Sequence, residues 1–144
     1  MEETNDKSVG FDPAVLDRAG QQIEAGLDDG EVADDRQTFV EGLKQLEAGK
    51  VDRATRKFRR AARQAPAPIN FLARVARGEC ERLRGNHGLA IRQWKQVAEE
   101  ADAPASTRYM AWLSLAAAAR AREDEQLLER AERAISQLES SEEV

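Results

Sequence analysis

The chain has 144 residues, enough for one domain with a buried core and too few for a multidomain enzyme. Hydrophobic residues make up 41% and charged residues 34%, with 4 prolines and 9 glycines, a helix-favouring mixture that excludes a disordered chain. A single cysteine excludes an internal disulfide, and the polar, acidic start from Met1 to Gly10 together with the lack of a membrane-length apolar run points to a soluble, cytoplasmic protein with no membrane partner.

Periodicity predicts seven helices and no strands. Phe11-Asp12-Pro13 opens the first, over 13–28, with Val15, Leu16, Ala19, Ile23 and Leu27 at helical spacing and Asp28-Asp29-Gly30 at its end. From about Asp35 a second helix presents Phe39, Val40, Leu43 and Leu46. Asp52 is placed to cap a third, in which Ala54, Phe58, Ala61 and Ala65 alternate with Arg53, Arg56, Lys57, Arg59, Arg60 and Arg63; Pro66 and Pro68 stop it. A fourth, capped by Asn70, carries Phe71, Leu72, Val75, Ala76, Cys80 and Leu83. The fifth carries Leu89, Ala90, Ile91, Trp94, Val97, Ala98 and Ala101, and the sixth, capped by Ser106, carries Tyr109, Met110, Trp112, Leu113 and an alanine-rich run from Ala116 to Ala119. Arg122-Glu123-Asp124 forms the turn into the seventh, with Leu127, Leu128, Ala131, Ala134, Ile135 and Leu138, which frays into an acidic tail over 139–144.

The pattern recurs. A shift of 36 residues places Gly42 on Gly78, Gly49 on Gly85, Ala54 on Ala90, Phe58 on Trp94 and Pro68 on Pro104. Each unit is a helix, a glycine turn and a second helix, which cannot bury both faces alone and so must stack on its neighbours. Gly42, Gly49, Ala54, Phe58, Ala61 and Pro66, repeated by Gly78, Gly85, Ala90 and Trp94, resemble the tetratricopeptide repeat pattern of a small residue in the first helix and Ala-x3-Phe in the second. A third unit superposes at a shift near 37, with Tyr109, Trp112 and Leu113 in its first helix and Leu127 and Ala131 in its second. The resemblance implies an all-α, right-handed solenoid of helical hairpins over 35–138, divided at about 35–68, 69–104 and 105–138. An acidic leader and extra N-terminal helix over 1–34 precede it. In this pattern the alanines let paired helices approach, and Phe58 and Trp94 fill the gap between successive hairpins.

Catalytic chemistry is not indicated. His87 and Cys80, each the only residue of its type, do not make a metal or nucleophilic site; Cys80 fits a half-buried packing position and His87 an exposed turn. Gly85-Asn86-His87-Gly88 lacks the strand and Gly-Lys-Ser/Thr of a phosphate cradle. No catalytic, cofactor-binding or metal residues are expected, and no cofactor.

Charge supplies the functional signal. Residues 1–52 carry 5 basic and 14 acidic side chains, 53–95 carry 12 and 2, and 96–144 carry 5 and 11. The basic centre either attracts an anion or is neutralised by its own flanks, and the second outcome is favoured. The carboxylate clamp of some tetratricopeptide domains is absent, since Phe39, Leu43, Val75 and Glu79 occupy its places. The expected function is a non-enzymatic adaptor, monomeric or weakly dimeric, that binds a protein or peptide through Arg36, Phe39, Leu43, Arg74 and Arg77. The alternative is anion or nucleic-acid binding through segment 53–95, with Arg56, Arg60 and Arg63 as contacts; nucleic acid is disfavoured because base-reading side chains are not interleaved with them.

Overall fold

The computed structural model describes residues 30–141. The helix expected over 13–28, most of the leader 1–34 and the last three residues of the tail lie outside the described residues. Six helices follow: α1 (Gly30–Glu47), α2 (Val51–Gln64), α3 (Ile69–Leu83), α4 (His87–Ala98), α5 (Ala105–Arg122) and α6 (Glu125–Ser140), with no strand among the described residues. The fold is all-α.

Three turns fold the helices into pairs by the same backbone device. In the first, Gly49 N–H donates to Leu46 O at 3.0 Å and Lys50 N–H to Gln45 O at 2.9 Å. In the second, Gly85 donates to Arg82 O at 3.0 Å and Asn86 to Glu81 O at 2.8 Å; in the third, Glu123 donates to Arg120 O at 3.2 Å and Asp124 to Ala119 O at 2.9 Å. This double bond satisfies the last carbonyls of a helix and requires a left-handed residue just past its end. Gly49 and Gly85 adopt φ of 80° and 87°, and Glu123 takes the same role at 57° without a glycine's freedom. The helices of each pair pack together, each pair packs on the next, and the first helices of successive pairs touch, α1 on α3 and α3 on α5.

Within a pair, the recurrent glycine seats the recurrent aromatic. A Cβ on Gly42 would stand 2.6 Å from Phe58 Cε1, and one on Gly78 would stand 2.8 Å from Trp94 Cδ1, so only glycine lets these rings close against the partner helix. Phe39 packs on Phe58 with ring centroids 5.8 Å apart, and Trp94 Nε1–H donates to Val75 O at 3.0 Å. Phe58 and Trp94 therefore fill the space inside their own hairpins, not only the gap between hairpins that the spacing suggested.

Several expected details differ. Asp52, Asn70 and Ser106 are not caps: α2, α3 and α5 begin at Val51, Ile69 and Ala105, and the residues before them make no side-chain cap bond. The turn and proline geometry starts each helix one residue ahead of the polar side chain, and Asp52 instead favours the positive end of α2 from within its first turn. Asp124 is a side-chain cap, accepting from Leu127 N–H at 3.1 Å. Leu83 is 48% exposed and so lies outside the core in which its spacing placed it. Cys80 is fully buried, and α6 continues through Glu139, held by the Tyr109 hydroxyl at 2.8 Å, before ending at Ser140.

Candidate functional site

The cations of α2 occupy every side of the helix that its Ala54, Phe58 and Ala61 stripe leaves free. Lys57 pairs with Glu41 of α1 at 2.9 Å. Arg60 Nε–H donates to the Gln64 side chain at 3.2 Å, while Arg53, Arg56, Arg59 and Arg63 have no ion pair among the described residues. Among the described residues the acidic flanks supply two partners to the basic centre, Glu41 to Lys57 at 2.9 Å and Asp52 to Arg84 at 3.6 Å; most of the N-terminal acidic flank lies outside the described residues.

Where α2, α3 and α4 meet, an open groove of about 760 Å³ is lined by Ala62 and Arg63 of α2, Arg74 and Arg77 of α3, Gln93 and Gln96 of α4, and Glu100 just beyond. Arg74 and Arg77 lie one turn apart, off the buried Leu72, Val75 and Ala76 side of α3, and share a face for that reason. The Arg74 guanidinium stands 5.6 Å above the Phe71 ring, which orients it. Arg77 Nε–H is buried without a hydrogen-bond partner, which costs about 1–3 kcal/mol in a folded protein. Burial, with the like charges of Arg59 and Arg63, pulls Arg77 below the ordinary guanidinium value.

The repeat makes that deficit informative. Thirty-six residues before Arg77 and Gln93 stand Glu41 and Lys57, an ion pair that holds the Glu41 carboxyl below the usual carboxylate range. In the second hairpin the acidic member has become a cation and the cation a neutral amide, so the pair is gone. At the next junction Glu99, the counterpart of Arg63, is held by Arg130 of α6, whose guanidinium also lies 5.6 Å above Trp112. One junction is thus closed by its own charges and the other is left open.

The proposed contact residues separate accordingly. Arg63, Arg74 and Arg77, drawn from two different candidate sets, share the groove, whereas Arg56 and Arg60 face solvent on the outer side of α2. Phe39 is 0% and Leu43 6% exposed; packing against α2 removes them as partner contacts, a correction to their expected role. Arg36 is half-buried on α1, engaged by other groups of the chain, and does not line the groove. Gln93, Gln96 and Glu100 were not expected; the only sequence signal for Gln93 was its alignment with Lys57.

Elsewhere the chemistry is structural. Burial pushes the Cys80 thiol up to about 11, with the Thr55 hydroxyl beside it. Glu79 makes a two-point contact with Arg82 at 2.8 and 2.5 Å, and burial raises its carboxyl above the usual range. Glu81 accepts from Asn86 Nδ2 at 2.8 Å and braces the α3–α4 turn. His87 is exposed at the start of α4. No His, Cys, Asp and Glu cluster suited to a metal exists among the described residues, and no helix there is long and apolar enough to cross a membrane. No family model matches this chain, and neither curated proteins nor solved structures give a match to it.

Proposed function

We propose that the chain is a non-enzymatic, cytoplasmic protein-interaction module, a tetratricopeptide-like right-handed solenoid whose α2–α3–α4 groove receives an acidic segment of a partner protein. The repeated turns and the glycine-aromatic pairs in the first two hairpins support the solenoid. The observation that carries the function is Arg63, Arg74 and Arg77 converging on an open groove where they have no ion pair among the described residues. Guanidinium forks recognise carboxylates by paired, charge-assisted hydrogen bonds, and such a groove supplies them already placed. Glutamate-rich peptides should bind the full chain in isothermal titration, and Arg74→Glu/Arg77→Glu should abolish the heat while leaving the helical circular dichroism unchanged. Absence of binding to the unaltered chain overturns the reading.

A second reading rests on the exposed stripe of Arg53, Arg56 and Arg60 on α2, which would suit a polyanion. Duplex DNA, RNA or heparin would then bind at about 50 mM salt, weaken steeply as salt rises, and be released by reversing Arg53, Arg56 and Arg60 to glutamate. We favour the groove, because a buried donor without a partner, Arg77 Nε–H, lies there, whereas the arginines of the α2 stripe are all exposed to water.

A further inference from the structure

We propose that the groove reads a phosphorylated side chain, a phosphoserine or phosphothreonine carried on a segment of the partner protein; this rests on the reading of the chain as a protein-interaction module. The groove is lined by three cations, Arg63, Arg74 and Arg77, against one carboxylate, Glu100; beside Arg77 the charge of Glu81 is opposed by that of Arg59, so the cations remain in excess. A phosphoryl group carries about −1.5 to −2 at pH 7 and three strong acceptor oxygens, which meets that excess with one group. A lone carboxylate brings half the charge and two oxygens in one plane.

The geometry favours the tetrahedral head as well. Cations arrive from α2 and from two successive turns of α3, with Arg74 steadied over Phe71, so donors approach from more than one side. Arg77 has the greatest need of a counterion: its Nε–H has no partner, and the place of its counterpart's ion-pair partner is filled by Gln93. Gln93 and Gln96, one turn apart on α4, each offer an amide donor and acceptor, the hydrogen-bonding complement of a peptide backbone. A volume of about 760 Å³ also exceeds what a phosphoryl group occupies and leaves space for the residues that carry it.

The test uses the full chain and degenerate libraries of short peptides that differ only in a central residue fixed as phosphoserine, glutamate or serine, read by fluorescence anisotropy. The phosphoserine library should bind about tenfold more tightly than the glutamate library and more tightly still than the serine library. Arg74→Gln and Arg77→Gln should each weaken phosphopeptide binding about tenfold, Glu100→Gln should tighten it, and Arg53→Gln on the outer face should leave it unchanged. Should Arg77→Gln fail to fold, Arg77→Lys, which keeps the charge and loses the fork, is expected to weaken binding in its place. Equal affinity for phosphoserine and glutamate overturns the phosphoryl inference and leaves the interaction module standing. Binding of neither charged library overturns both, and inorganic phosphate binding as tightly as the peptides overturns the peptide-borne ligand.

Discussion

The first and second hairpins share a frame and oppose each other in charge. Gly42 and Gly78 admit Phe58 and Trp94, and Gly49 and Gly85 make one and the same turn. On that common frame, Glu41 and Lys57 close the first hairpin's ion pair, while Arg77 and Gln93 leave the second without one. The frame positions demand particular shapes and so repeat almost unchanged. The charged positions face the surface, where substitution costs little stability, and there a repeat can be given a function its neighbour lacks.

The largest expected effect attacks the shared frame. Trp94→Ala should cost about 3–5 kcal/mol in urea unfolding, from the cavity and the lost bond to Val75 O, and Phe58→Ala should cost less because no hydrogen bond goes with it. Next comes the seat beneath each ring. Gly78→Ala should destabilise by about 1–3 kcal/mol and exceed Gly42→Ala, since Trp94 is tethered and has less room to yield than Phe58. Equal losses for the two would show that the tether does not restrict the ring.

The third hairpin extends the comparison, because Glu123 occupies the left-handed position that Gly49 and Gly85 fill elsewhere. Glu123→Gly should therefore raise the midpoint of thermal unfolding, by the equivalent of up to about 1 kcal/mol. The smallest change in stability should come from Gln93→Glu, which gives Arg77 an internal partner like that of Glu41 and Lys57, worth no more than about 1 kcal/mol at an accessible site. Its effect on binding should be large, with acidic peptides excluded from the groove. The sign with pH is fixed by Glu41: its carboxyl titrates below the ordinary range, so the stability it adds is present at neutral pH and is lost as pH falls through the lowered value. Gln93→Glu should add the same acid sensitivity in circular dichroism melts.

Much of the frame was legible because it is written in steric necessities. Ala54-x3-Phe58 and Ala90-x3-Trp94 located the second helices, and the glycines located their turns. Caps were misplaced because whether Asp52, Asn70 or Ser106 bonds back depends on the dihedrals of the preceding turn, which composition does not reveal. Phe39 and Leu43 carry the same spacing whether they face a groove or a neighbouring helix, and burial against α2 makes them core. The groove was legible only in part. Arg74 and Arg77 stood out as a pair on one face, but Arg63 and Gln93 join them through packing between pairs, and no spacing along the chain encodes that meeting.

Among the described residues contact passes only between adjacent pairs, and no helix of the first pair touches the third. Unfolding can therefore proceed from an end inward, a pair at a time, without dissolving what lies ahead of it. The groove is lined by α2, α3, α4 and Glu100 just beyond, with no residue from α5 or α6, so α6 is free to open and reclose while the arginines hold their places. In native-state hydrogen exchange, ligand should slow the amides of α2 to α4 and leave the exchange of α6 close to its unliganded rate, as though the two ends of one short chain kept separate clocks.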